Sequence, residues 1–453
     1  MTIASPNLEP LRRREDLLAP LVAACKPESA WRIGPESEKF GVTSATNLPV
    51  PYRGDSGIVR ILAELASSHG WTPESEYSGG PIIALVRGDA SVTLEPGGQL
   101  ELSGGKSETI HQVAAELRDH MAELGPISAK LGIHWLGIGF QPTARREDFD
   151  WVPKQRYAVM RNYLPTRGGH GLDMMLRTCT VQANFDYSSE EDAMRKMRVA
   201  LALAPLTTAM FANSPFREGR AGEGLSYRGR VWLDVDPDRT GLVPSLWKRG
   251  AGFEDYVDWA LDVPMIWFMR DNQIVVNTGQ TFRDFMANGY DGHTAMASDW
   301  LGHLNALFPE VRLKKTIEVR AADAQGPDCV AALPALWTGI LYDQRALEDA
   351  YALVSDWTYA EVSELRTRAW REGLRTRWRG SSLAACAERV VEIADHGLER
   401  RSRLDSSGAD ERVYLNEIRE LVSRGRTPAD VLLERATTGR GIASSPFVGS
   451  AWL

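Results

Sequence analysis

The stretch Arg177-Thr178-Cys179-Thr180-Val181-Gln182-Ala183-Asn184-Phe185-Asp186-Tyr187 separates into two faces when its residues are taken alternately. Side chains of an extended chain point to opposite sides with period two. One face holds Thr178, Thr180, Gln182, Asn184 and Asp186 and is wholly polar, while Cys179, Val181, Ala183, Phe185 and Tyr187 form the other. The pattern predicts a strand over 175–187 with one side on a core. Buried parallel strands read as continuous apolar runs, whereas antiparallel sheets keep one wet face. An α+β fold built on an antiparallel sheet follows.

Working outward, three more segments carry acids on one face. In Trp31–Phe40 (WRIGPESEKF), Glu36 and Glu38 stand at i and i+2. In Val92–Leu102 a Pro96-Gly97-Gly98 turn joins two short strands, so that Glu95, Gln99 and Glu101 are expected to converge. In Thr316–Arg320, Glu318 and Arg320 share one side and Ile317 and Val319 the other. The spans 30–41, 90–103 and 311–320 are accordingly read as strands, and 9–25 and 107–132 as helices. Ser188 and Glu191 make a capping-box pattern ahead of Met194, Met197 and Leu201, a stripe suited to packing.

Like charges facing one another on a sheet cost stability, so four strands with acids or amides on one face call for a compensating cation. All-oxygen ligands suit Mg²⁺ or Mn²⁺ and argue against zinc or copper. Mg²⁺ keeps waters and commonly bridges to phosphates, which makes ATP its natural companion. Replacing Glu36 or Glu318 by glutamine is expected to relieve repulsion and leave the fold intact.

The remaining composition sets outer bounds. Among 453 residues, 52 Lys and Arg against 60 Asp and Glu give a net charge of −8, so no nucleic-acid partner is expected. No apolar run approaches the roughly 18 residues of a membrane span, and the N-terminus lacks a signal-peptide pattern, so the expected location is the cytoplasm. Cys25, Cys179, Cys329 and Cys386 are scattered and read as reduced thiols. From about 343 the chain turns Arg-, Glu- and Ala-rich with helical spacing, which divides it into a core (1–342) and a largely helical part (343–453) packed on it. Arg366, Arg368, Arg371, Arg375, Arg377 and Arg379 read as a solvated helix face. The glycine-rich loop Thr166–Gly171 lacks phosphate-loop spacing.

At the acidic segments the sequence resembles the glutamate–cysteine ligases of the plant and proteobacterial type. The similarity runs from about Arg32 to Tyr342 and is densest in GLDMMLRTCTVQANFDYSSEEDAMRKMRVALALAPLTTAMFANSPF (171–216), followed by VWLDVDPDRTG, DYVDWALDVPM, LFPEVRLKK and ALPALWTGILYD. The resemblance implies a curved antiparallel sheet, shared with glutamine synthetase and the guanidino kinases, forming a funnel with helices outside. It implies an ATP-dependent ligase in which the γ-carboxylate of L-glutamate is phosphorylated and the amine of L-cysteine attacks, the first step of glutathione biosynthesis. It makes Glu36, Glu38, Glu95, Glu101 and Glu318 metal ligands, places Gln182, Asn184 and Arg320 at the nucleotide, and gives Glu36, Glu318 and Arg320 catalytic roles. Arg156 in the RY element and Arg228 in the LSxR element would hold glutamate, with Ile266 and Trp267 on the acceptor side. A monomer or homodimer is expected.

The chain also departs from the family. Pro35 and Ser37 replace residues of the usual TEHEKF element, Ile266 stands where an aromatic is usual, and Gly326-Pro327-Asp328-Cys329 replaces a Pro-Trp-Arg-Arg-Leu-Cys element. These changes border the acceptor side and open a second possibility, a γ-glutamyl ligase for another small amine in specialised metabolism. Retention of the whole acidic set argues against a third, a catalytically silent relative. Asn277 replaces one cysteine of the plant redox bridge, and 287–298 holds none, so that bridge is not expected.

Overall fold

A computed structural model describes residues 9–437. In chain order its first half contains α1 (Arg14–Val22), β1 (Ile33–Thr43), α2 (Ile58–His69), β2 (Thr72–Glu74), β3 (Ala84–Arg87), β4 (Ala90–Leu94), β5 (Leu100–Ser103), α3 (Ile110–Leu131) and β6 (Ile133–Leu136). Then follow α4 (Gln155–Tyr163), α5 (Gly171–Arg177), β7 (Thr180–Phe185), α6 (Glu190–Met210) and α7 (Tyr227–Trp232). One nine-stranded sheet organises the protein. Its order is Val311–Leu313, Ile317–Asp323, β7, β1, β5, β4, β3, β2, with β6 paired to the far half of β1. Every pairing in it is antiparallel.

The alternation in the sequence explains how the sheet is covered. Val181, Ala183, Phe185, Ile317 and Val319 are buried on one face, where α6 packs on the Ile317–Asp323 strand and the helix Ala332–Leu341 packs on β7. Met194, Met197 and Leu201 of α6 lie in this core, as their spacing implied. The cap of α6 falls one residue later than expected. Ser189 Oγ accepts from Asp192 N–H at 3.1 Å, and the Asp192 carboxylate also meets Lys196 Nζ one turn on at 3.1 Å, an extra partner that favours this register.

Two expected strands differ from what forms. The span 175–187 starts as the end of α5, where Asp173 and Arg177 make an i,i+4 ion pair; the strand itself is Thr180–Phe185. Asp186 leaves the ladder to accept from Arg32 N–H at 2.7 Å and pair with Lys26 Nζ at 2.8 Å. The span 311–320 is two strands turned at Lys314, whose N–H donates to Thr316 O. The spans 30–41, 90–103 and 107–132 agree within a few residues, whereas the helix expected over 9–25 is the shorter Arg14–Val22.

Beyond Tyr342 the chain is mostly helical: Gln344–Val354, Tyr359–Glu372, Leu383–Arg401, Asn416–Ser423 and Pro428–Thr437. The Tyr359–Glu372 helix packs on α6 and Leu383–Arg401 on Ala332–Leu341, so one apolar core extends from Leu11 to Val422. Of the arginine series, Arg371, Arg375, Arg377 and Arg379 are exposed, but Arg366 turns inward to Glu310 and the carbonyl of Trp232. The glycine-rich loop packs on Asp234: a side chain at Gly168 would come within 2.6 Å of its carbonyl oxygen, and His170 Nδ1 lies 2.9 Å from its carboxylate. All four cysteines are free. Among the described residues no helix is long and apolar enough to cross a membrane.

Candidate active site

Strand register gathers the acids and amides on the sheet face opposite α6. Glu38 of β1 stands opposite Glu101 of β5, and Glu36 opposite Ser103. On its other side Glu36 stands opposite Gln182 of β7, and Asn184 opposite Glu318. Asn184 Nδ2 donates to Glu36 Oε1 at 2.8 Å, and its Oδ1 accepts from Thr316 Oγ1 at 2.9 Å. Arg320 contacts Glu318 and donates from Nη1 to Gln182 Oε1 at 2.7 Å, and it lies within the bulge between Val319 and Ala322. Glu95 joins the set from the turn after β4, where Gly98 takes a φ of 81°, a left-handed conformation that glycine adopts without strain. Gln99 does not join it. Its side chain accepts from Gly97 N–H and donates to the carbonyls of Met175 and Thr178, tying the turn to the α5–β7 junction.

The acids fall into two electrostatic groups. Burial first, then Glu318 and Glu101, push the Glu36 carboxyl up to about 8. Burial with Glu95 and Glu101 pushes Glu38 well above the usual carboxylate range, and burial with Glu101 raises Glu95. Glu36, Glu95 and Glu101 remain half-buried and open to solvent on this face, whereas Glu38 is buried. Glu318 behaves oppositely. Burial would raise it, but Arg312, Lys314 and Arg320 together hold it well below the usual range. Arg312 Nε and Nη2 grip its two oxygens at 2.9 and 2.8 Å, and Lys314 Nζ lies 3.0 Å from Oε2. The expectation that neutralising Glu318 relieves repulsion is therefore corrected: its charge is already matched by three cations.

The donor chemistry fits a hard divalent cation at Glu36, Glu38, Glu95 and Glu101: burial first, then neighbouring carboxylates, raises Glu36, Glu38 and Glu95, so a cation among them would favour their charged forms. Among the described residues no three His, Cys, Asp or Glu side chains are close enough to clasp a metal as they stand.

Cations border the acids. Arg228, in the first turn of α7, is buried and donates from Nη2 to Arg320 O at 2.9 Å, while its Nε has no partner. Arg156 at the start of α4 is exposed, and its Nη2 donates to Tyr157 Oη at 3.3 Å beside Glu95 and Glu101. Two residues escaped sequence reasoning. Lys154 is buried with Nζ on Leu94 O at 2.7 Å, and burial lowers it to about 8; its two-residue spacing from Arg156 was the available signal. Trp232 lies under both arginines, its ring 5.6 Å from the Arg228 guanidinium and 6.0 Å from that of Arg320. Ile266 is not an open pocket wall: it is 1% exposed within the apolar core. Its neighbour Trp267 is half-buried on the hairpin Trp267–Arg270/Gln273–Val276, whose second strand packs on α4.

The chain is 47% identical over 429 residues to the chloroplastic glutamate–cysteine ligase of Brassica juncea, covering 94% of this chain and 81% of that protein. It is equally identical to that of Arabidopsis thaliana, covering 94% and 80%. The crystal structure of glutamate–cysteine ligase from Francisella tularensis in complex with AMP shares the fold, with a TM-score of 0.57 at 13% identity over 93% of this chain and 87% of that one. The cytoplasmic location expected from the N-terminal sequence is overturned by the plant relatives, which are named as chloroplastic. The similarity also extends past Tyr342 into the helical part. With residues 32–446 matching the model of glutamate–cysteine ligase family 2, the chain belongs to that family.

Proposed function

We propose that this protein is a glutamate–cysteine ligase that joins the γ-carboxylate of L-glutamate to the amine of L-cysteine with consumption of ATP, the first step of glutathione biosynthesis. The observation that carries it is the single face on which Glu36, Glu38, Glu101, Gln182, Asn184 and Glu318 meet in register, in a chain of this family. Arg156 and Arg228 would hold the carboxylates of glutamate, since planar guanidinium groups bind carboxylates in two-pronged fashion and fix them for in-line attack. A γ-carboxylate oxygen bonds to the terminal phosphorus of ATP as the bond to the bridging oxygen breaks and ADP leaves. The cysteine nitrogen then attacks the acyl carbon, phosphate departs, and the nitrogen loses a proton. No protein nucleophile is required, because positioning and charge neutralisation suffice for phosphoryl transfer.

Mg²⁺ or Mn²⁺ held by Glu36, Glu38, Glu95 and Glu101 would neutralise phosphate charge. Glu318 would serve chiefly by aligning Lys314 and Arg320 toward the nucleotide, with Gln182 and Asn184 beside it. Residues 1–342 would form the catalytic core and 343–453 a support packed on it, with 1–8 and 438–453 lying outside the described residues. The decisive assay measures phosphate release and dipeptide formation with glutamate, ATP, Mg²⁺ and either cysteine, 2-aminobutyrate or cysteamine. Cysteine is expected to give the highest kcat/KM; a higher value for cysteamine would move the protein to the ligases of other amines.

A further inference from the structure

Asp323 ends the strand that carries Glu318 and Arg320, and it is fully buried. Its Oδ2 accepts from Asn213 N–H at 2.7 Å and Ser214 Oγ at 2.6 Å, and its Oδ1 accepts from Ser226 Oγ at 2.7 Å. The space it occupies exists because residue 139 is glycine: a side chain there would lie 2.2 Å from the Asp323 Cγ. Both serines pass the interaction on. Having donated to the carboxylate, Ser214 Oγ accepts from Arg228 N–H at 3.2 Å, and Ser226 Oγ accepts from Gly229 N–H at 3.0 Å. The two relays end on consecutive amides at the start of α7, the helix that carries Arg228. The guanidinium of Arg228 is tied to the same strand, through Arg320 O. One strand thus fixes Arg228 at both ends, backbone and side chain.

A buried aspartate with three donors is ordinarily a satisfied core group that holds loops together. Here one relay ends on the amide of Arg228 and the other on that of its neighbour Gly229, in the same turn of α7. We infer that Asp323 is a positioning residue for glutamate recognition, acting through Ser214 and Ser226 to set the aim of Arg228. The inference rests on the proposed role of Arg228 as a clamp for a glutamate carboxylate.

Asp323→Asn keeps the size but loses the charge and one acceptor oxygen, so at least one of the three donors on the carboxylate loses its acceptor and the relay through it is broken. Steady-state kinetics should show the KM for glutamate raised about tenfold or more, the effect of losing a charge-assisted hydrogen bond, with the KM for ATP within about twofold. Arg228→Lys should raise the glutamate KM further, and the double variant should match Arg228→Lys within about twofold, because both changes act on one element. Ser214→Ala and Ser226→Ala should each raise the glutamate KM in part. Equal changes in the two KM values for Asp323→Asn, or multiplicative effects in the double variant, overturn the inference. If Asp323→Asn fails to fold, the serine variants decide, and an unchanged glutamate KM in both overturns it. An unchanged glutamate KM in Arg228→Lys refutes the clamp itself and the inference with it.

Discussion

Glu38 and Glu101 face each other directly across β1 and β5, two carboxylates in one antiparallel register. Glu38 accepts from Thr180 N–H at 2.9 Å and Glu101 from Ser103 Oγ, neither donor bringing a positive charge. Directly opposed like charges destabilise a sheet by up to about 1 kcal/mol. Glu101→Gln is therefore expected to raise metal-free thermal stability by that order while reducing the stabilisation that Mg²⁺ provides by binding the folded form. Melting curves with and without MgCl₂ test both. An Mg²⁺ increment equal to that of the unmodified protein would remove Glu101 from the cation site.

Glu318 should answer the same substitution with the opposite sign. Glutamine there leaves Arg312, Lys314 and Arg320 without the anion they share. Breaking a buried ion pair on one side costs about 3–5 kcal/mol, because the remaining charge is uncompensated. Urea denaturation of Glu318→Gln should show a loss of this order as well as loss of turnover. Stability equal to that of the parent would mean that the three cations find other acceptors.

The raised Glu36 carboxyl makes metal-free stability depend on pH. Its folded pKa of about 8 lies above the ordinary 4.5, so between these values the folded protein holds a proton that the unfolded chain has released. The stabilisation is fully present below about 4.5 and is lost as pH rises through about 8, with a slope of at most about 1.4 kcal/mol per pH unit for one proton. Melting temperatures in EDTA from pH 5.5 to 7.5 should fall with pH, and Glu36→Gln should flatten the fall. An unaltered slope in the variant would assign the dependence to other groups.

Period-two alternation made the sheet and its polar face legible in the sequence, because a strand buried on one side must alternate. Glu36, Glu38 and Glu318 fell on the right face for that reason alone. Their partners were less legible. Arg312 reaches Glu318 only because residues 311–320 fold back as a hairpin, and a turn at Lys314 has no glycine or proline to announce it. Gln99 has the right parity but belongs to a turn, where side-chain direction follows local hydrogen bonds instead of strand period. Asp323 was invisible because its partners Ser214 and Ser226 are about a hundred residues away and meet it only in the folded chain.

The support behind the sheet is testable at Gly397. The helices Ala332–Leu341 and Leu383–Arg401 cross at backbone contact: a side chain at Gly397 would lie 1.8 Å from Gly339 O, and one at Gly339 would lie 2.2 Å from Ala394 O. A carbonyl in a helix cannot turn aside as a flexible side chain can, so Gly397→Ala must push the helices apart, at a cost of about 1–3 kcal/mol or more for overpacking. Because Ala332–Leu341 packs directly behind β7, the displacement is transmitted to the strand that presents Gln182 and Asn184. Calorimetry of Gly397→Ala should show one transition at lower temperature, as befits a core continuous from Leu11 to Val422, and kcat should fall with it. Two separate transitions with undiminished kcat below the first would show instead that the part after Tyr342 folds independently and that the active face does not depend on it.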